Sequence, residues 1–359
     1  MNTPAGDPVQ PLRPRIQRAL DRFIADQREL LAEIGPELGL LADAAADLLS
    51  GGKRLRPAFC YWGWRGAGRD DAESIVTAAA ALELFHAAAL VHDDLIDGSD
   101  TRRGMPSAHR RFASGHTAEG WAGESSQFGA AAAILLGDLL LGWSDELING
   151  SGLDDAALRR ARPVYERMRT EVGAGQYLDV LAQAVGTARP DERIDRARRV
   201  IRYKAARYSV EWPLLLGGCA AGAGADLQAA YSAYGLALGV AFQLRDDVLG
   251  VFGDPDRTGK PAGDLREGKQ TLLIAFALER ADPATAATVD RLLGDPNLDP
   301  AGVERLQSII VDTGALARVE AEVADQVDRA RSALARVAVT AEADRALQAL
   351  ISAAAIRTT

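Results

Sequence analysis

An all-α fold is what this sequence predicts, and three observations predict it. Apolar residues recur at intervals of three and four along most of the 359 residues. Period-two runs of β-branched residues, the mark of half-buried strands, are absent. Breaker-rich stretches, such as Gly51-Gly52, Gly150–Gly152, Gly217–Gly224 and Asp282-Pro283, separate the periodic segments.

Taken in order, Met1–Pro14 holds Pro4, Pro8, Pro11 and Pro14 without an apolar core, and reads as a mobile tail. One folded domain is expected over 15–359. Arg15–Ile34 opens it, with Ile16, Leu20, Phe23, Ile24, Leu30, Leu31 and Ile34 at helical spacing. The same pattern predicts helices over Ala72–Val91, Ala130–Leu147, Leu158–Val185, Ile194–Leu216, Leu227–Val251 and Gln270–Leu278. It then predicts Ala301–Thr313, Ala315–Val337 and Ala341–Ile356, to which no chemistry is assigned. The abundant Ala, Leu, Arg and Glu favour helix. His109 and His116 fall in a polar stretch that reads as a loop. No run reaches the roughly 18–20 apolar residues of a membrane span, so no transmembrane segment and a cytoplasmic location are expected.

The 48% hydrophobic content excludes a wholly disordered chain. A net charge of −9 argues against nucleic-acid binding by net charge. Cys60 and Cys219 cannot build a disulfide framework and read as small core residues. Lysine is confined to Lys53, Lys204, Lys260 and Lys269, so arginine supplies 37 of the 41 basic residues. Four lysines in an arginine-rich chain suggest positions that need a compact point charge.

Two acidic clusters carry the chemical argument. The first, Asp93-Asp94-Leu95-Ile96-Asp97, ends an apolar helix and leads to Arg102-Arg103. Asp93 and Asp97 lie four apart, on one helix face, where like charges repel. A hard divalent cation relieves that repulsion, and Mg²⁺ suits one or two carboxylates plus phosphate oxygens. The second, Asp246-Asp247, also ends an apolar helix and leads to a Gly-rich stretch, Gly259–Lys269. An isolated Asp-Asp pair is usually a cap or solvated surface. Two such pairs, each followed by a basic Gly-containing segment, point instead to a metal-bound polyanion. Gly51–Pro57 adds Lys53 and Arg56 near a helix N-terminus, where anions are favoured. A ligand with a diphosphate head and a hydrocarbon tail fits all of these elements.

Gly51–Pro57, His86, Asp93–Gly104, Gly175–Asp179, Lys204 and Phe242–Lys269, in this order and spacing, closely resemble the trans-isoprenyl diphosphate synthases, the polyprenyl synthetase family. The resemblance implies a class I isoprenoid synthase helical bundle around a central hydrophobic tunnel, and a homodimer. It implies about three Mg²⁺ ions per active site. Asp93 and Asp97 would bind Mg²⁺ on one side of the allylic diphosphate and Asp246 on the other, supported by Asp94, Asp179 and Asp247. Arg102, Lys204 and Lys260 would contact the allylic diphosphate. Lys53, Arg56, His86 and Arg103 would hold isopentenyl diphosphate. Lys269 would order a closing loop, and Gln243 would face the reacting carbons. Two departures from the family pattern are Ala205, where Thr is common, and Gly250, where a third aspartate is usual.

The resemblance also implies chain-elongating, head-to-tail condensation of isopentenyl diphosphate with dimethylallyl, geranyl or farnesyl diphosphate. The helix before Asp93 would line the tail tunnel. Ala88 and Ala89 leave it open, and Phe85, a turn deeper, would form a floor. Geranylgeranyl diphosphate is therefore the expected product, with farnesyl or longer polyprenyl diphosphates as alternatives. A class I terpene cyclase would ordinarily carry an Asn/Ser/Glu metal triad in place of Asp246-Asp247. A non-catalytic partner subunit would ordinarily have lost the aspartates.

Overall fold

The protein is described here by a computed structural model, which covers residues 7–102, 104–185, 189–253 and 262–355. In chain order the helices are α1 (Arg13–Ile34), α2 (Gly39–Leu49), α3 (Leu55–Gly66), α4 (Glu73–Ile96), α5 (Ala108–Ala118) and α6 (Ser125–Asn149). There follow α7 (Asp155–Ala184), α8 (Pro190–Val200), a π-helical segment Ile201–Glu211, α9 (Trp212–Ala221) and α10 (Ala225–Phe252). After the short turn Gly263–Arg266 come helices Leu272–Arg280, Pro283–Leu292, Pro300–Asp312, Ala315–Leu334 and Ala341–Ala355. Among the described residues the only sheet is a two-residue antiparallel pairing, Thr101↔Pro106 and Arg102↔Met105. The all-α expectation holds.

The chain divides into two compact units. The first comprises Met1–Ala161, Leu216–Ala223 and Thr340–Ala346. Its central helix is α4, which packs on α6, α3 and α1. Where α4 meets α6, Gly137 leaves room for the His92 side chain: a Cβ there would lie 2.1 Å from His92 Nε2. The same imidazole contacts the Ile134 carbonyl oxygen at 3.2 Å. Ser144 Oγ donates to the Ala81 carbonyl at 2.6 Å and completes that seam. Among the described residues α4 alone is long and apolar enough to cross a membrane, and 72% of its apolar window is buried inside the protein. Burial in a core explains its apolar character.

Two sequence expectations need correction in this unit. The proline-rich segment is not a free tail up to residue 14. Val9 and Leu12 are buried, and Trp62 Nε1 donates to the Pro8 carbonyl at 3.2 Å. The stretch around His109 and His116 is helix α5 rather than loop. Its inward stripe is only Ala108, Phe112 and His116, too short to dominate the polar sequence. His116 is buried against Phe128 and contacts the Ala122 carbonyl.

The second unit comprises Arg162–Leu215, Gly224–Val339 and Leu347–Thr359. Helix α10 is its axis, packed on the π-helical segment and on Ala315–Leu334. Gly235 and Gly239 make this possible. Cβ atoms there would lie 2.4 Å from Glu211 Cα and 2.3 Å from the Ala206 carbonyl oxygen. A single helix is expected over Ile194–Leu216; the chain is helical throughout, but about half of that span, Ile201–Glu211, is wound as π-helix. Arg207 holds that segment with Nε 2.8 Å from Glu211 Oε2 and Nη1 2.8 Å from Glu171 Oε1.

Candidate active site

In the first unit the last turn of α4 carries Asp93 and Asp94, and Asp97 caps its end. The Asp97 N–H donates to the Asp93 carbonyl at 2.8 Å, so the helical geometry persists through the motif. Asp94 is turned inward and buried. Arg102 donates to its Oδ1 through Nε at 2.9 Å and through Nη2, while that Nη2 lies 3.7 Å from Asp93 Oδ2. Burial raises the Asp94 carboxyl above the ordinary carboxylate range, against the pull of Arg102. Arg102, expected on the allylic diphosphate, is thus held at the motif by Asp94. Arg103 lies outside the described residues.

The basic turn before α3 lies in the same unit. Gly51 and Gly52 take φ of 71° and 96°, a region that favours glycine. Lys53 is exposed and Arg56 half-buried. His86 is half-buried on α4, two turns before Asp93. Phe85 and Ala88 are buried in the core and Ala89 is half-buried.

In the second unit, glycine again determines what meets. A Cβ on Gly175 would lie 2.4 Å from the backbone nitrogen of Lys204, so only glycine lets α7 approach the π-helical segment so closely. One turn on, Asp179 meets Lys204, with Nζ 2.5 Å from Oδ2. Lys269 Nζ lies 3.8 Å from the same oxygen. Two of the four lysines therefore converge on one buried carboxylate.

On α10, residues 235, 239, 243 and 247 follow at intervals of four. The two glycines set the close packing, and Gln243 Nε2 then donates to Asp247 Oδ1 at 2.7 Å. Asp247 is buried, while Asp246 is half-buried. Burial, with Asp264 nearby, pushes the Asp247 carboxyl up to about 8; the Gln243 hydrogen bond opposes the rise. Burial and Glu267 push Asp264 up to about 7, with Lys269 opposing. Asp264 escaped the sequence reading. It occupies the space beside Gly250, where a Cβ would lie 2.1 Å from Asp264 Oδ2. The missing third aspartate is therefore not an empty place: a carboxylate from another segment fills it. Lys260 lies outside the described residues.

A hard divalent cation fits this donor set. The acidic groups of each unit are oxygen ligands, and burial with mutual repulsion leaves those of the second unit short of positive charge. Among the described residues no three His, Cys, Asp or Glu side chains converge on a ready-made metal cage. Mg²⁺ seldom needs one, because water and phosphate oxygens complete its shell.

Comparison with known proteins identifies the family. The polyprenyl synthetase family model matches residues 39–310. The chain is 35% identical to the geranylfarnesyl diphosphate synthase of Aeropyrum pernix, over 92% of this chain and 97% of that protein. It is 30% identical to the nonaprenyl diphosphate synthase of Mycobacterium tuberculosis, over 82% and 81%. The geranylgeranyl pyrophosphate synthase from Corynebacterium glutamicum, solved with isoprenyl diphosphate and magnesium, superposes with a TM-score of 0.90 at 37% identity, covering 95% of this chain and 97% of that one. Family model, relatives and fold converge, and the chain belongs to the polyprenyl synthetase family of trans-prenyltransferases.

Proposed function

We propose that the protein is a Mg²⁺-dependent chain-elongating enzyme that condenses isopentenyl diphosphate with an allylic diphosphate to give geranylgeranyl diphosphate. The observation that carries the reading is the pair of intact acidic clusters, each with its own cations, in a member of this family. Lys53, Arg56, His86 and Arg103 are the proposed contacts for isopentenyl diphosphate. Arg102, Lys204 and Lys260 are those for the allylic diphosphate.

Bound Mg²⁺, held by Asp93, Asp97 and Asp246, would neutralise charge on the leaving diphosphate oxygens. The protein's own cations share that task. Lys204 and Lys269 both lie against Asp179, so a diphosphate would compete with one carboxylate for two ammonium groups. Arg102 has a similar choice between Asp94 and phosphate oxygens. The allylic carbon, freed of diphosphate, is attacked by the double bond of isopentenyl diphosphate. The proton then lost from the adduct goes to the released diphosphate, so no side-chain base is required. Gln243, tied to Asp247, presents a neutral amide towards the reacting carbons. Closure by the Gly-rich stretch that ends at Lys269 would exclude water.

Asp246→Ala is expected to lower turnover at least a hundredfold and to raise the Mg²⁺ concentration needed for half-maximal rate. Unchanged turnover across a metal titration would overturn the assignment.

The geranylgeranyl product rests on Ala88 and Ala89 with Phe85 as floor. Relatives with names as different as geranylfarnesyl and nonaprenyl diphosphate synthase make product length the finer question. Phe85→Ala should lengthen the products on chromatography; an unchanged spectrum places the floor elsewhere. A homodimer is also proposed. Phe128, Ile134 and Leu135 of α6 are exposed apolar residues that a second copy would cover.

A further inference from the structure

Arg54 stands between two proposed diphosphate contacts, yet it faces inward. Its φ is 54°, and among the described residues only Ala262 shares the left-handed region without being glycine. That conformation costs a non-glycine residue about 1–2 kcal/mol. Such strain persists where surrounding contacts over-determine it, and it clusters at functional sites. Here the contacts are plain. Arg54 Nη1 lies 2.5 Å from Glu83 Oε2, with only 5% and 7% of the two residues exposed. Nη2 donates to Gln17 Oε1 at 2.5 Å and to the Leu49 carbonyl oxygen. One guanidinium therefore ties α1, the end of α2 and α4 together.

Burying two charges costs several kcal/mol each, and an apolar pair of similar volume often serves stability as well. The position of the pair suggests what the ions add. Glu83 and His86 are three apart on α4 and share a face. Arg54 lies one residue from Lys53 and two from Arg56. Lys53 is exposed and Arg56 half-buried on either side of it, while its head group is locked to the helix that carries His86.

We propose that Arg54 and Glu83 are positioning residues for isopentenyl diphosphate, their buried ion pair setting the basic turn of Lys53 and Arg56 against His86. The proposal rests on the reading of Lys53, Arg56 and His86 as that substrate's contacts.

Calorimetric titration with isopentenyl diphosphate, alongside kinetics in which each substrate is varied separately, tests it. Glu83→Gln should weaken isopentenyl diphosphate binding at least tenfold and leave the KM for the allylic diphosphate within twofold. The double variant Arg54→Met/Glu83→Leu replaces the ions with apolar bulk. It should keep a near-normal Tm and still bind isopentenyl diphosphate at least tenfold more weakly. It also carries the test if Glu83→Gln does not fold. Normal affinity in the double variant, or equal loss towards both substrates, overturns the positioning role. Arg56→Ala serves as the control. Weak binding in Arg56→Ala with normal binding in Glu83→Gln rejects the proposal alone. Normal binding in both rejects the site reading and the proposal with it.

Discussion

Gly250 shows how far a single residue can be read from sequence. Its departure from the family pattern is visible, and it suggests a weakened metal site. The structure assigns the space to the Asp264 carboxylate. Restoring the usual aspartate should therefore harm this chain: Gly250→Asp puts a Cβ 2.1 Å from Asp264 Oδ2 and adds a fourth carboxyl group beside Asp246, Asp247 and Asp264. We expect a loss of about 1–3 kcal/mol by thermal or denaturant unfolding, the usual cost of overpacking. Adding Asp264→Gly should recover much of it. A stable Gly250→Asp variant would show that Asp264 moves aside freely. The placement of Asp93, Asp97 and Asp246 near helix ends was legible because spacing on a helix is local information. Arg54, Glu83 and Asp264 were not, because their roles arise from partners 14 to 37 residues away in sequence.

At the level of elements, the long amphipathic helices were readable from periodicity, and most of their limits agree within a few residues. Those missed, α2, α5 and Pro283–Leu292, are 10–11 residues long. Segments so short carry few repeats of an apolar stripe. The π-helical winding around Lys204 leaves no mark in the apolar pattern. Glycine inside a helix was legible as a residue but not as a purpose. In α7, replacing glycine by alanine would by propensity alone add about 0.5–1 kcal/mol of stability. The Cβ of Gly175→Ala, however, would lie 2.4 Å from the Lys204 backbone nitrogen. Backbone yields less than a side-chain tip, so we expect a net loss of about 1–3 kcal/mol. Because the shift separates Asp179 from Lys204, the KM for the allylic diphosphate should rise as well. A gain in Tm with unchanged kinetics would refute this account of the crossing.

For the whole molecule, the net charge of −9 says little about substrate choice, since the relevant cations are local. The lysine census says more. Lys204 and Lys269 meet at Asp179, Lys53 stands exposed on the basic turn, and Lys260 belongs to the Gly-rich stretch. All four fall in the segments that carry the family resemblance. Fold class and family were therefore legible from the chain itself, while product length is proposed from Phe85, Ala88 and Ala89 alone. The central claim is chain elongation, and one incubation tests it most directly. The purified protein is given isopentenyl diphosphate, Mg²⁺ and dimethylallyl, geranyl or farnesyl diphosphate in turn, and the products are identified by chromatography and mass. The account predicts linear diphosphates longer by whole five-carbon units, ending at geranylgeranyl diphosphate. A cyclic hydrocarbon, or no turnover with any of the three starters, would contradict it.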